Sequence, residues 1–240
     1  MALAPLDPKP KAVLFDLDDT LCDYAAAREA RLRIAFKRYA ACKERGREGI
    51  DLDRMIAASI QLHPHGADHF GELFSRFGVD DPAEASAAAD WYRTNRFHGL
   101  KLFPGVDEVF RIVREGLSRH RASASHPLGI VTNGPAEVQR AKLDLLGIKS
   151  LVDFAVVSEE FGVAKPDPSI FHEALRRAGV DAGEAVFVGD SVEFDMVGAR
   201  DAGIPSVWVN RNGATWTESG PPPTREVRSL DDLPRLLEFE

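Results

Sequence analysis

The chain has 240 residues, 44% hydrophobic and 28% charged, which excludes a largely disordered polypeptide and allows one large globular domain or two modest ones. A net charge of −8 is the wrong sign for a general nucleic-acid binder, and no apolar run approaches the roughly 20 residues that span a bilayer. Two cysteines, Cys22 and Cys42, are too few for a disulfide framework, and the opening MALAPLDPKPK lacks the apolar stretch of a signal peptide, so a reducing cytoplasm is the expected setting.

In chain order, the first predicted element is the apolar run AVLFDL (12–17), a buried strand by its continuity, followed at once by three carboxylates, Asp16, Asp18 and Asp19. The next stretch, 23–101, is rich in Ala, Arg and Glu and shows helical spacing throughout. It predicts an all-helical domain inserted into the rest. LFPGV (102–106) returns the chain to a second set of strands, LGIVTN (128–133), FAVVSE (154–159), AVFVGD (185–190) and PSVWVN (205–210). Amphipathic helices between them stop at Gly147, Gly179 and Gly203, with Asp167 and Pro168 as N-cap and first residue of the middle one. ESGPPPTRE is expected to be a loop and SLDDLPRLLEF a last helix.

Strands alternating with helices imply an α/β fold with a Rossmann-like parallel sheet, here composed of residues 1–22 and 102–240, with 23–101 as a helical cap. Ligands in such sheets bind off the carboxyl ends of the strands. Asp16, Thr132 and Asp190 each sit at such an end, and so converge although distant in sequence. Two acids spaced as Asp16 and Asp18 can divide nucleophile or ligand from general acid. Asp190 can complete an oxygen-rich Mg²⁺ site. Thr132 offers a hydroxyl, Asn133 and Gly134 offer backbone N–H groups, and Lys165, in AKPDP, offers a cation at a helix start. Together they suit a phosphoryl group, neutralising its charge and orienting its oxygens.

FDLDDTL, VTNG, KPDPSIF and GDSVEFD, in that order, resemble the four motifs of the haloacid dehalogenase superfamily, and the helical insertion matches the position of that family's cap. The resemblance implies that Asp16 forms an aspartyl-phosphate and that Asp18 protonates the leaving oxygen and then activates water. It also implies that Thr132 and Lys165 hold the phosphate, and that Mg²⁺ is bound by Asp16, the Asp18 carbonyl and Asp190 with support from Asp195. Members that displace a halide typically lack the second acid, so Asp18 favours a phosphatase acting on a small phosphomonoester, of nucleotide or sugar phosphate type. The other readings are a phosphomutase of the same family, a dehalogenase, a receiver-type signalling domain and a binding protein without catalysis.

Asp19 stands where the family often has glycine and reads as a turn residue. Glu193 reads as a solvated helix-start acid, and Cys22 as a small semi-buried residue. His63, His65 and His69, in HPHGADH, offer a weak metal spacing or a substrate-facing group. Trp91 and Tyr92 read as core, whereas Arg96, His98 and Lys101 are candidates for substrate specificity. The oligomeric state is not legible.

Overall fold

In a computed structural model, residues 5–40, 50–62, 68–119 and 127–239 are described, and they divide into two compact units. The first comprises residues 1–23 and 102–240, the second residues 24–101. Six parallel strands run through the first: β1 (Ala12–Phe15), β2 (Leu128–Thr132), β3 (Phe154–Val157), β4 (Ala185–Gly189), β5 (Ser206–Val209) and β6 (Arg225–Val227), in the order β3-β2-β1-β4-β5-β6. The chain therefore steps outward on one side of β1 and then on the other. The carboxyl ends of β2, β1 and β4 lie side by side at that reversal, where a crevice opens in sheets of this kind.

Ten α-helices are described, four in the second unit: α1 (Tyr24–Ala35), α2 (Leu52–Gln61), α3 (His69–Arg76) and α4 (Pro82–Thr94). The other six cover the sheet: α5 (Val106–Arg119), α6 (Ala136–Leu145), α7 (Ser158–Phe161), α8 (Pro168–Ala178), α9 (Val197–Asp201) and α10 (Leu233–Leu236). Helix α8 shows how local chemistry sets the bounds. The Asp167 carboxylate accepts from Ser169 N at 2.9 Å, Pro168 fixes the first turn, and Gly179 ends it at φ 65°. Its Ile170, Phe171 and Ala174 pack with Leu14, Val131 and Phe187 of the sheet. Against the sheet's other strand residue in β1, Phe15, the ring of Phe110 from α5 stacks at 4.9 Å.

The second unit contains no strand among its described residues and builds its own core from Leu32, Phe36, Met55, Phe70, Leu73 and Phe74. Asp51 and Asp81 cap α2 and α4 through the N–H groups of Arg54 and Glu84. At its root, Cys22 and Leu102 form an antiparallel bridge, and Phe103 N donates to Leu21 O at 3.0 Å.

One prediction is corrected at the C-terminal side. Within the expected loop ESGPPPTRE, Arg225 and Glu226 belong to β6, which pairs with β5 through Val209 and Val227. The expected last helix is one 3₁₀ turn (Leu230–Asp232) followed by the short α10. No helix among the described residues is long and apolar enough to cross a membrane.

Candidate active site

Asp16 directly follows β1, and its N–H still bonds to Val188 O at 2.9 Å, so the sheet ladder itself aims the residue. Its carboxylate is buried and meets Lys165 Nζ at 2.5 Å. The same ammonium donates to Asp195 Oδ1 at 2.7 Å. Asp190, directly after β4, accepts from the Thr20 hydroxyl at 2.9 Å, and its carbonyl accepts from Trp208 Nε1 at 2.8 Å. Asp195 is fixed a second time by Ser191 N at 3.0 Å.

Oxygens of Asp16, Asp190 and Asp195 lie within 4.8 Å of one another. Burial raises the Asp16 carboxyl well above the usual carboxylate range despite the opposing Lys165 charge, and Asp195 and Asp190 push it the same way. Burial, then Asp195, pushes Asp190 up to about 7. Burial alone would lower Lys165. The two carboxylates it touches outweigh that effect and hold it above its ordinary value. Two buried acids, Asp16 and Asp195, and the half-buried Asp190 thus share one lysine, and the site is short of positive charge. A divalent cation would supply that charge, and an all-oxygen carboxylate set is of the kind Mg²⁺ takes, so the residues fit it. Of the residues expected at the metal, the side chains of Asp16 and Asp190 cluster with that of Asp195, the expected supporting group; Asp18, expected to contribute its backbone carbonyl, has its side chain outside the cluster.

The Asp18 carboxylate is held elsewhere. Lys142 Nζ donates to both its oxygens at 2.8 and 2.6 Å, and Gln139 Nε2 donates to Oδ2 at 3.1 Å. Gln139 also bonds the Thr132 hydroxyl at 2.5 Å. These two residues of α6 thereby join the second acid to the hydroxyl at the end of β2. Sequence reasoning passed over both. The available signal was the three-residue connection 133–135, which starts α6 so soon after β2 that its first turns must lie at the strand end.

The Asn133 side chain has a role of its own beside the backbone N–H considered in the sequence. It spans the Lys165 backbone, donating to Lys165 O at 2.9 Å and accepting from Lys165 N at 2.8 Å. The next N–H, of Gly134, donates to Ser158 Oγ at 2.9 Å. Asp19 sits at φ 62°, the left-handed region where glycine is the easy residue and aspartate is tolerated. Its carbonyl and that of Thr20 accept from Arg211 at 2.7 and 2.8 Å, so Asp19 forms a braced turn. Glu193 is exposed, and Cys22 is buried with its Sγ directed to Leu17 O at 3.5 Å. Burial pushes the Cys22 thiol up, away from reactivity.

In the helical unit, His69 is buried and pairs with the Ser59 hydroxyl at 2.8 Å, a satisfied core histidine instead of a substrate-facing group. His63, His65 and Cys42 lie outside the described residues. Tyr92 is core, as expected, and Trp91 packs against it, with the His98 ring 6.5 Å from Trp91. Arg96 donates to Arg93 O at 3.2 Å, and Lys101 is exposed.

A family model described as haloacid dehalogenase-like hydrolase matches residues 10–203, and the chain belongs to that family. It is 36% identical over 230 residues to the glyceraldehyde 3-phosphate phosphatase of Methanopyrus kandleri, covering 93% of this chain and 91% of that one. The N-acylneuraminate-9-phosphatase of Homo sapiens is 29% identical over 241 residues, covering 95% and 94%. Among solved structures, the HAD-hydrolase YfnB of Bacillus subtilis superposes with a TM-score of 0.73 at 23% identity, over 95% of this chain and 99% of that one. That likeness speaks to the fold.

Proposed function

We propose that the protein is a Mg²⁺-dependent phosphatase that hydrolyses a small phosphomonoester through an aspartyl-phosphate on Asp16. The observation that carries the reading is the separation of the two acids. Asp16 lies in a buried, cation-seeking cluster with Lys165, while Asp18 lies apart on Lys142 and Gln139, free of the metal-type set. The names of the relatives, both phosphatases of small phosphate esters, support the same class.

In this reading an Asp16 oxygen forms the new bond to phosphorus as the bond to the ester oxygen breaks, and Asp18 delivers a proton to that oxygen. Asp18, now a carboxylate, then takes a proton from water as the water oxygen attacks phosphorus, and the Asp16–phosphorus bond breaks to release inorganic phosphate. General acid–base help of this kind is worth about 10²–10⁴-fold. Lys165 has three N–H donors and uses two on Asp16 and Asp195, which leaves one for a phosphate oxygen. The Thr132 hydroxyl, braced by Gln139, offers another contact, and the backbone N–H of Asn133 a third. Asp16, Asp190 and Asp195 would hold the Mg²⁺, which screens the phosphate from the attacking carboxylate when bound. We assign the helical unit the role of the family's cap, with Arg96, His98 and Lys101 as candidate specificity residues. The acidic net charge supports a small-molecule partner over nucleic acid, and the low cysteine content supports a cytoplasmic setting.

The test is phosphate release from a panel of nucleotides, sugar phosphates and small acid phosphates, with Mg²⁺ and with chelator, and with Asp16→Asn as control. Metal-dependent release that Asp16→Asn abolishes is the expected result. Release that persists in folded Asp16→Asn overturns the nucleophile. Turnover that appears only with a bisphosphate activator, and without free phosphate, replaces the hydrolase by a phosphomutase.

A further inference from the structure

Two residues beyond the end of β5, the side chain of Arg211 reaches past β4 to the turn that follows β1. One terminal nitrogen donates to Asp19 O at 2.7 Å and the other to Thr20 O at 2.8 Å, a fork closed on two successive carbonyls. The guanidinium carbon lies 3.8 Å from the centre of the Phe103 ring, and Phe103 N is itself bonded to Leu21 O at 3.0 Å. Ring and carbonyls together hold the guanidinium in one pose. The turn needs such a hold. Asp19 lies at φ 62°, a region that a residue other than glycine occupies at a cost and keeps only where its surroundings fix it. The bond from Asp19 N to Cys22 O, at 2.8 Å, closes the turn from within, and Arg211 ties it to β5 from without.

A second observation lies on the far side of the turn. Thr20 is fully buried, and its hydroxyl donates to Asp190 Oδ1 at 2.9 Å. The backbone carbonyl of Asp190 accepts from Nε1 of Trp208, a residue of β5, at 2.8 Å. β5 and the residue after it thus reach Asp190 by two routes, directly through Trp208 and by way of Arg211 and Thr20. The first sets where the Asp190 backbone stands, and the second sets where its carboxylate points.

We propose that Arg211 is a positioning residue: by clamping the carbonyls of Asp19 and Thr20 it fixes the Thr20 hydroxyl, and through it the aim of the Asp190 carboxylate that would hold Mg²⁺. This role rests on the phosphatase reading for the use made of the metal. The sign of the effect separates positioning from charge. Burial lowers the Arg211 guanidinium, and the charges of Asp190, Asp19 and Asp23 act against that. A cation within electrostatic reach of Asp190 opposes the binding of another, so charge alone predicts tighter Mg²⁺ once Arg211 is gone. Positioning predicts the reverse.

The test uses the full chain. Mg²⁺ is titrated by calorimetry without substrate, and phosphate release from p-nitrophenyl phosphate is followed against Mg²⁺ concentration. Arg211→Met, and Arg211→Lys, which keeps the charge without the fork, are each expected to raise the Mg²⁺ dissociation constant about tenfold. The Mg²⁺ concentration for half-maximal rate rises in step, with a smaller change in KM for the ester. Thr20→Val is expected to weaken Mg²⁺ as well, and adding Arg211→Met to it to weaken it little further, because the two act along one route. An unchanged or tighter constant in Arg211→Met overturns the proposal, and losses that simply add in the double variant overturn the route through Thr20. A wild type that binds Mg²⁺ but releases no phosphate counts against the phosphatase reading, and the binding constants then decide the role of Arg211 by themselves. A wild type that takes up no Mg²⁺ overturns that role outright. Should Arg211→Met fail to fold, Phe103→Leu removes the ring beneath the guanidinium and keeps the charge. It is expected to weaken Mg²⁺ by a smaller factor, and an unchanged constant there overturns the proposal.

Discussion

Lys142 Nζ chelates the Asp18 carboxylate, 2.8 Å from one oxygen and 2.6 Å from the other, from a side chain only 4% exposed. The bond links a helix that begins after β2 to the acid that follows β1, so it fixes the distance of that acid from the end of the neighbouring strand. A misplacement of about 1 Å in a catalytic group can lower the rate about 10²-fold. Lys142→Met is therefore expected to lower kcat by about ten- to a hundred-fold with a smaller change in KM, and Lys142→Arg to recover part of it. Because Asp18 retains access to solvent, the loss of stability should be moderate, about 1–3 kcal/mol. Equal loss of activity in Lys142→Met and Lys142→Arg, or a change confined to KM, would count against a positioning role.

Asn133 predicts a different signature. Its side chain grips the backbone of Lys165, at 2.9 and 2.8 Å. Asn133→Ala removes two part-buried hydrogen bonds, each worth about 1 kcal/mol, so the protein should lose about 2 kcal/mol of stability and unfold at lower urea. Phosphate affinity should weaken as well, read as a higher inhibition constant for inorganic phosphate. An Asn133→Ala protein with unchanged phosphate inhibition would show that Lys165 holds its place unaided.

Gly189 ends β4 with no room beside it. A Cβ there would lie 2.4 Å from Asp195 Oδ2 and 2.7 Å from Asp195 Cβ, and the latter cannot rotate away. Gly189→Ala should cost about 1–3 kcal/mol by overpacking and should displace the Asp195 carboxylate. The Mg²⁺ concentration for half-maximal activity is expected to rise. An alanine variant with normal stability and normal metal dependence would refute this account of the close approach.

The acidic cluster predicts how pH acts on the metal-free protein. Asp190 is raised from 3.8 to about 7 in the folded state, so its proton is held more tightly there than in the unfolded chain. That contribution is fully present below about pH 3.8 and is lost as pH rises through about 7. Mg²⁺ binds the deprotonated carboxylates and must displace such protons. Its apparent affinity should therefore climb by up to about tenfold per pH unit for each proton released, levelling off above neutrality. Melting curves with chelator and with Mg²⁺, from pH 5 to 8.5, check both statements. A metal-induced stabilisation independent of pH would contradict them.

The central strands and the convergence of Asp16, Thr132 and Asp190 were legible because strands buried on both faces are continuous apolar runs, and parallel order puts their ends together. Helix α8 was legible from its cap, its proline and its glycine. β6 was not, because REV carries no pattern of its own and becomes a strand only by pairing with β5 at the sheet edge. Gln139 and Lys142 were hidden for the opposite reason. Polar residues in an amphipathic helix are read as its wet face, yet here they are buried while Leu145 is 58% exposed. His69 likewise drew notice as part of HPHGADH, whereas its neighbours Phe70, Leu73 and Phe74 place it on the apolar face of α3. Asp195 was legible as a supporting group, but a carboxylate that reaches both Lys165 and the metal-type set is defined by three loops that only folding assembles.

The bridge between Cys22 and Leu102 has a consequence for how such a chain can change. It pins Cys22 and Leu102, which flank residues 24–101 in sequence, at hydrogen-bond distance from each other. The entropy of closing a loop grows only logarithmically with its length, so what lies between those ends can lengthen, shorten or be exchanged with little effect on the ladder below. The insertion thereby becomes separately heritable: it can be replaced as a whole while the strands on either side of it in sequence keep their pairing.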